Sequence, residues 1–227
     1  MNVRALATDY DGTIAWHGTV EPCTCRALQQ FKDSGRKLLL VTGRELPDLF
    51  SVFTEPDLFD LIVAENGALL YDPATKETRI LAPTPSTLFV EHLRQAGVHP
   101  LSVGRVIVAT QENYYGVVSQ IITDLALDLR IIMNKGALMV LPGQINKATG
   151  LLEALYQLNI PAAEVVGMGD AENDHAFLEL CGFSAAVANA LPGLKANVRF
   201  VTRGDHGAGV EELISTLLHR AESLVAL

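Results

Sequence analysis

The stretch Ala7-Thr8-Asp9-Tyr10-Asp11-Gly12-Thr13 decides the fold of this chain, because it places two carboxylates directly after an apolar run. The apolar run predicts a short buried strand that Gly12 ends. Residues i and i+2 of a strand point to the same side, so Asp9 and Asp11 are expected to converge at the strand's carboxyl end, where open α/β sheets bind ligands. Two carboxylates about 4 Å apart repel by roughly 4 kcal/mol at an effective dielectric of about 20. The pair therefore implies a cation, a shared proton, or both.

The composition is that of a chain with a substantial core. Of 227 residues, 49% are hydrophobic and 19% charged, which suits one large domain or a domain with an insertion. The net charge of −9 argues against nucleic acid and anionic membranes as partners. The three cysteines lack the second pair that a zinc site requires, and are expected to be reduced thiols. No apolar stretch approaches the roughly 18 residues of a membrane span, and the early first strand leaves no room for a signal peptide. We therefore expect a cytoplasmic protein.

Strands and helices alternate along the first 82 residues and again from residue 143. The first part is predicted to contain a helix over 22–34, a strand over 37–41, a helix over 45–53, a strand over 61–64 and a hairpin of 68–71 with 78–81. The second is predicted to contain a helix over 147–158 capped by Asn146, a strand over 165–168, a helix over 173–180, strands over 183–187 and 199–201, and a last helix from about Gly209. This alternation predicts an α/β fold, a doubly wound, mostly parallel Rossmann-like sheet with right-handed crossovers.

Two proline-containing breaks, Pro83-Thr84-Pro85 and Pro142-Gly143, interrupt this alternation. Between them the sequence predicts a helix, a strand over 105–110, a helix over 113–125, and strands over 129–133 and 137–140. We therefore expect residues 83–142 to form a smaller α/β cap, inserted into a core made of residues 1–82 and 143–227.

Four polar clusters lie where predicted strands end or where a helix begins. They are Asp9 with Asp11, Thr42-Gly43-Arg44, Asn146-Lys147, and Gly169-Asp170-Ala171-Glu172-Asn173-Asp174. The carboxyl ends of parallel strands meet at one edge of a sheet, so the clusters can share one site. Asp9 and Asp170 offer the hard oxygen ligands that suit Mg²⁺, Thr42 offers a hydroxyl in front of helix N–H groups, and Lys147 offers a point charge for phosphate.

Singly, each cluster is typical of an ordinary turn or of a solvated helix start, but all four in this order are specific. The set resembles the haloacid dehalogenase superfamily of phosphohydrolases over essentially the whole chain. The Glu65-Asn66-Gly67-Ala68 turn and the Gly169–Asp174 segment resemble the subclass with an α/β cap after the third strand. The overall size and the small cap are similar to those of archaeal-type phosphoglycolate phosphatases. Sugar-phosphate phosphatases belong to the same group of relatives. Tyr10 and Ala148 depart from the usual pattern beside reactive residues without replacing them.

The resemblance implies an Mg²⁺-dependent phosphatase that acts on a small phosphorylated metabolite through an aspartyl-phosphate. Asp9 is then the nucleophile, and Asp11 is the general acid for the leaving oxygen and later the base for water. Mg²⁺ and Lys147 are expected to keep Asp9 ionised.

The same resemblance implies the remaining ligands. Thr42, with Gly43 in its turn, and Lys147 would hold the phosphoryl oxygens, and Asn173 would contact the phosphate or the metal shell. The metal ligands would be Asp9, the backbone carbonyl of Asp11, Asp170 and Asp174, the last directly, through water, or by orienting Lys147 instead. Arg44 follows the turn at the acidic edge, so we expect it to contact the substrate or the cap.

Two other functions are compatible with these residues. A phosphomutase would pass the aspartyl-phosphate to a second hydroxyl, and label retained in a sugar bisphosphate would identify it. A non-catalytic module would bind a phosphometabolite, but a binder does not need both a nucleophile and an acid.

Overall fold

The computed structural model describes residues 2–219, which form a larger sheet of eight strands and a smaller sheet of four. In chain order the strands are β1 (Ala5–Thr8), β2 (Lys37–Val41), β3 (Leu61–Ala64), β4 (Leu69–Asp72), β5 (Glu77–Ile80), β6 (Ser102–Val103), β7 (Val108–Gln111), β8 (Leu129–Asn134), β9 (Ala137–Pro142), β10 (Val165–Gly169), β11 (Phe183–Ala186) and β12 (Phe200–Val201). The helices are α1 (Pro22–Asp33), α2 (Leu46–Val52), α3 (Thr87–Gln95), α4 (Tyr115–Asp124), α5 (Lys147–Leu158), α6 (His175–Leu180), α7 (Pro192–Lys195) and α8 (His206–His219). Within this part of the chain, no helix has the length and apolar composition that a membrane crossing needs.

The larger sheet has the order β12-β11-β10-β1-β2-β3-β4-β5. Its strands run parallel from β12 to β3, and the antiparallel hairpin of β4 and β5 closes one edge. Every residue of β1 and β3 is buried, as in parallel sheets covered by helices on both faces. Helix α1 packs against α8, and α5 against α6. Right-handed crossovers toward opposite edges place α1 and α6 on opposite faces. The predicted doubly wound, mostly parallel α/β fold is confirmed.

The predicted elements of this sheet agree closely with the structure. β2, β3 and α5 have the predicted bounds, because continuous apolar runs and the Asn146 cap define them. Helix α8 begins at His206 rather than near Gly209, and α7 was not predicted.

The smaller sheet is antiparallel, with the order β6-β7-β9-β8, and all its strands come from residues 83–142. Alternate residues of β9 face opposite sides. Leu138 and Val140 pack in the apolar cluster under α3 and α4, whereas Met139 and Leu141 belong to the core of the larger sheet. The smaller sheet therefore lies between its own helices and the rest of the molecule.

One predicted strand of this sheet begins later than expected. The sequence predicts a strand over 105–110, but β7 starts at Val108. The backbone N–H groups of Arg105, Val106 and Ile107 donate to the Glu65 carboxylate instead of to a neighbouring strand. A tertiary contact thus replaces the sheet hydrogen bonds at this point.

Candidate active site

Asp9 lies at the carboxyl end of β1, near the middle of the larger sheet. Its backbone N–H donates to the Met168 carbonyl at 2.9 Å, which continues the pairing with β10 past the end of β1. The chain then turns through Gly12, whose φ is +88° and where a Cβ would collide with the Asp170 carboxylate. Glycine therefore supplies both the left-handed backbone and the close approach of this turn to the loop after β10.

Asp11 is held by Arg44, which follows β2. The Arg44 guanidinium donates from Nε and Nη2 to the two Asp11 oxygens, each at 2.7 Å, and from Nη1 to Asp48 at 2.6 Å. It also lies over the Tyr10 ring, 5.4 Å from the centroid. Hydrogen bonding to Asp11 is the main cause that raises the pKa of Arg44. The two-point contact fixes the plane of the Asp11 carboxylate, as paired guanidinium–carboxylate groups do. Arg44, expected at the substrate or the cap, contacts this catalytic candidate directly.

Lys147 begins α5 and is almost completely enclosed, with 1% exposure. The Asn146 side chain caps the helix by accepting from the backbone N–H groups of Ala148 and Thr149, which fixes where the lysine side chain leaves the backbone. Lys147 Nζ donates to Asp9 Oδ1 at 2.5 Å and to Asp174 Oδ1 at 2.6 Å. Burial disfavours the ammonium, but the two carboxylates outweigh it and raise the pKa of Lys147.

The loop after β10 brings two further carboxylates to the same place. Asp174 Oδ2 accepts from the backbone N–H groups of Asp170 at 2.8 Å and Ala171 at 3.0 Å, so it closes the loop. The Thr13 hydroxyl lies 3.2 Å from Asp9 Oδ2 and 3.3 Å from Asp170 Oδ1, and thus bridges the loops after β1 and β10. Asp174 therefore orients Lys147 and also shapes the backbone that presents Asp170.

Asp9, Asp170 and Asp174 form a group of buried carboxylates with oxygens within 4.8 Å of one another. Burial raises the pKa of Asp9 well above its usual value, against the opposing effect of Lys147, and burial also raises the pKa of Asp170. Lys147 alone therefore does not hold Asp9 in its usual range, and the group has room for more positive charge. Oxygen ligands without sulfur or imidazole fit a hard divalent cation such as Mg²⁺. The Asp11 carboxylate lies outside this group.

The turn after β2 faces the loop after β10 across Asn66. Thr42 is buried, and its hydroxyl accepts from the Arg44 N–H at 3.1 Å. A Cβ at Gly43 would lie 3.3 Å from Asn66 Oδ1, the same oxygen that accepts from Asn173 Nδ2 at 2.9 Å. From the sequence, Asn66 is predicted only as part of the turn after β3. In the structure, it links the two loops that carry Gly43 and Asn173.

Some of these residues line one cleft of about 570 Å³ between the two sheets. The residues that line it from the larger sheet are Asp9, Asp11, Gly43, Arg44, Glu45, Pro47, Asp48 and Asn173. Those from the smaller sheet are Ser102, Ile107, Ala109, Asn134, Ala137 and Met139. The structure therefore gathers the predicted residues of all four clusters at one edge of the larger sheet, with Thr42 and Lys147 buried immediately behind the cleft.

Three further contacts at this edge involve residues outside the predicted site: Lys135, Asn189 and His206. Lys135, in the turn between β8 and β9, forms an ion pair with Asp170. The Asn134-Lys135-Gly136 sequence indicates a hairpin turn, but nothing in it tells which surface the turn faces. The Gly12 carbonyl accepts from Asn189 Nδ2 at 2.8 Å and lies 2.9 Å from His206 Nδ1, so residues near α8 support the turn that carries Asp11.

The sequence matches the haloacid dehalogenase-like hydrolase family in two segments, residues 6–116 and 98–214. The chain belongs to this family. Curated relatives include a phosphoglycolate phosphatase of Methanothermobacter thermautotrophicus, 30% identical over 93% of this chain and 97% of that protein. Phosphoglycolate phosphatase 2 of Saccharolobus solfataricus is 28% identical over 96% of this chain and 93% of that protein.

Solved structures from other organisms have the same architecture. A crystal structure from Thermoplasma acidophilum superposes with a TM-score of 0.83, covering 96% of this chain and 99% of the other, at 15% identity. A phosphatase of the same superfamily from Bacteroides thetaiotaomicron gives a TM-score of 0.77 at 21% identity, covering 96% of this chain and 95% of the other. At these identities the likeness concerns the fold.

Proposed function

We propose that this protein hydrolyses phosphate monoesters of small metabolites, phosphoglycolate or sugar phosphates, with Mg²⁺ and through an aspartyl-phosphate on Asp9. The chain is a phosphatase of the haloacid dehalogenase-like family, a phosphoric monoester hydrolase. The net charge of −9 favours a small-molecule partner over nucleic acid. The free cysteines among the described residues suit the reducing cytoplasm, where we place the enzyme.

One observation carries the proposal. A fully buried ammonium, Lys147, joins Asp9 to Asp174 at the carboxyl end of the central strands, beside the cleft. A buried charge is costly unless it is paired. Lys147 donates to Asp9 Oδ1, so the second carboxylate oxygen of Asp9 is not bonded to the lysine. That arrangement suits a carboxylate that must be aimed at a substrate.

The positions of Asp9 and Asp11, which both line the cleft, support the following reaction. An Asp9 oxygen attacks phosphorus, and the bond from phosphorus to the ester oxygen breaks. Asp11 gives its proton to the leaving oxygen, then takes a proton from the water that attacks the aspartyl-phosphate, which releases phosphate and restores Asp9. Arg44 orients the Asp11 carboxylate when it is ionised, and one of these two hydrogen bonds must open when the carboxyl group carries the proton.

The phosphoryl oxygens are assigned to residues on three loops. Gly43 offers an N–H at the cleft wall, Thr42 a hydroxyl proton, and Lys147 its positive charge. Asn173, fixed by its bond to Asn66, lines the same side of the cleft as Gly43. Phosphoryl transfer depends mainly on positioning and on charge stabilisation, which such groups provide.

The metal is assigned to Asp9, Asp170 and Asp174, with the Asp11 backbone carbonyl as a further oxygen ligand. The three carboxylates are buried and close enough to share one ion, which supports this assignment. A bound Mg²⁺ would neutralise charge that develops on the transferring phosphoryl group. Asp174 already bonds Lys147 and two backbone N–H groups, so its contribution is through water or through orientation of the lysine.

We propose that residues 83–142 act as a cap over a core of residues 1–82 and 143–227. The cap supplies one wall of the cleft and would exclude water on closing, as lids do. Its contacts would then concern the organic part of the ester rather than the phosphoryl group.

The test is a panel of phosphorylated metabolites assayed for phosphate release with and without Mg²⁺, on wild type and on Asp9→Asn. Asp9→Asn keeps the size of the side chain and removes the nucleophile, so turnover should fall by several orders of magnitude, on the order of 10⁴-fold. Asp57→Asn, an exposed aspartate far from the site, is the matched control. Near wild-type turnover by folded Asp9→Asn would contradict the covalent route, and absence of phosphate release by wild type would contradict the function.

A further inference from the structure

Lys135 stands out because it lies in a constrained turn that reaches from the smaller sheet to the metal-binding candidates. Asn134 pairs with Ala137 across the β8–β9 hairpin, which leaves Lys135 and Gly136 as a two-residue loop. Both have positive φ, +46° and +85°. Such a loop favours asparagine and glycine, so a lysine there is an uncommon choice that strains the backbone. Backbone strain of this kind is found at functional sites.

The other positively charged side chains at the cleft already form ion pairs with carboxylates. Lys147 is enclosed between Asp9 and Asp174, and Arg44 binds both oxygens of Asp11. Lys135 pairs with Asp170 alone among the described residues, and its side chain is 42% exposed. Asp170 itself is buried, so the ammonium can leave only when another cation neutralises that carboxylate.

The partner of Lys135 is also a proposed metal ligand. An ammonium and a divalent cation compete for the same Asp170 carboxylate and repel each other there. A metal ion on Asp170 would therefore displace the Lys135 ammonium, and the neighbouring Asn134, which lines the cleft, puts the cleft within reach of that side chain.

The cap wall of the cleft is mostly apolar where the leaving group would lie. Ile107, Ala109, Ala137 and Met139 line it. Ser102 and Asn134 are its polar members, and none of these side chains is charged. In the part of the chain that the structure describes, a charged leaving group therefore finds no cation on this wall other than Lys135, the neighbour of Asn134.

We propose that Lys135 is a specificity-determining residue, which leaves Asp170 when the metal binds and then pairs with a carboxylate on the leaving group of the ester. This inference rests on the proposed function. Within that function, Lys135 favours short phosphate esters that bear a carboxylate.

The experiment uses Lys135→Met and Lys135→Arg, with Lys76→Met as the matched control. Lys76 is an exposed lysine in the β4–β5 turn, and its φ is likewise positive, at +60°. The first measurement is Mg²⁺ binding without substrate, by calorimetry. Lys135→Met should bind Mg²⁺ about fivefold more tightly than wild type, because the competitor is gone, and Lys76→Met should match wild type.

The second measurement compares kcat/KM for 2-phosphoglycolate with kcat/KM for p-nitrophenyl phosphate, whose leaving group has no carboxylate. In Lys135→Met the ratio should fall by about 30-fold, mainly through KM for phosphoglycolate, and Lys135→Arg should recover most of it. An unchanged ratio, or unchanged Mg²⁺ affinity, in an active Lys135→Met protein overturns the role of Lys135 and leaves the proposed function intact. A wild-type protein that hydrolyses neither ester overturns the proposed function, and this inference with it.

Discussion

The Glu65 carboxylate accepts a hydrogen bond from the Val106 backbone N–H at 2.7 Å and thereby ties the turn after β3 to the chain that leads into β7. The same carboxylate accepts from Arg105 at 3.0 Å and from Ile107 at 2.8 Å. Glu65 is 1% exposed, so its charge is compensated by N–H groups rather than by water. This contact fixes how the proposed cap meets the core.

Glu65→Gln should therefore loosen the cap. The amide replaces one accepting oxygen with an NH₂ group that faces backbone N–H donors, so at least one buried donor loses its partner. We expect a loss of about 2 kcal/mol in the free energy of unfolding, measured by urea denaturation. Hydrogen exchange at residues 105–107 should accelerate as well. Glu77→Gln, at an exposed position in β5, is the control. Unchanged exchange at these amides would show that Glu65 does not hold this segment.

Arg44→Lys should impair catalysis more than binding. A lysine keeps the positive charge, but a single ammonium cannot hold both Asp11 oxygens as the guanidinium does. If Asp11 is the general acid, kcat should fall by about 10²-fold while KM changes little. Steady-state kinetics on p-nitrophenyl phosphate measures both constants. A rise in KM with unchanged kcat would indicate that Arg44 binds substrate instead, as its sequence position alone suggested.

The core of this fold was predictable because its signals are local. The buried parallel strands are continuous apolar runs, so β2 and β3 were located from composition alone, and Asn146 marked the start of α5. Side chains that follow parallel strands meet at one edge of the sheet, so the sequence alone predicts that Asp9 and Asp170 lie close together.

Contacts between the two sheets were not predictable in the same way. The Lys135 turn carries no signal for the direction in which its hairpin points, and the Glu65 contact involves backbone N–H groups, which every residue except proline has. The strand predicted over 105–110 was too long for that reason. The sequence also does not tell which carboxylate each cation pairs with: Arg44 bonds Asp11 and Asp48, whereas Lys147 bonds Asp9 and Asp174.

Removal of the metal should abolish activity. If Mg²⁺ occupies the Asp9, Asp170 and Asp174 group, EDTA should stop turnover and excess Mg²⁺ should restore it. Mg²⁺ should also raise Tm, because it binds the folded chain and not the unfolded one, by an amount that grows with the logarithm of its concentration. Asp170→Asn should lose most of this rise, whereas Asp57→Asn should keep it. Full activity in chelator, or tightly bound zinc by elemental analysis, would contradict the assignment.

Cys181 should make the folded state less stable at alkaline pH. Burial raises the pKa of this thiol from 9.0 to about 12. The unfolded chain releases the proton at the lower pH, while the folded chain keeps it until the higher one. The stability that the neutral thiol contributes is therefore complete below pH 9.0 and is lost progressively as the pH rises toward 12.

The measurement is the difference in free energy of unfolding between wild type and Cys181→Ala as the pH is raised. In that window the difference should shift against wild type by about 1.4 kcal/mol for each pH unit, since alanine has no proton to release. Other titrating groups are common to both proteins and cancel. Cys23→Ala, at an exposed thiol, controls for the replacement of a cysteine by alanine. A difference between wild type and Cys181→Ala that stays constant with pH would mean that the folded wild-type protein tolerates the Cys181 thiolate. Water would then have to reach the Cys181 side chain, which packs against Gly167.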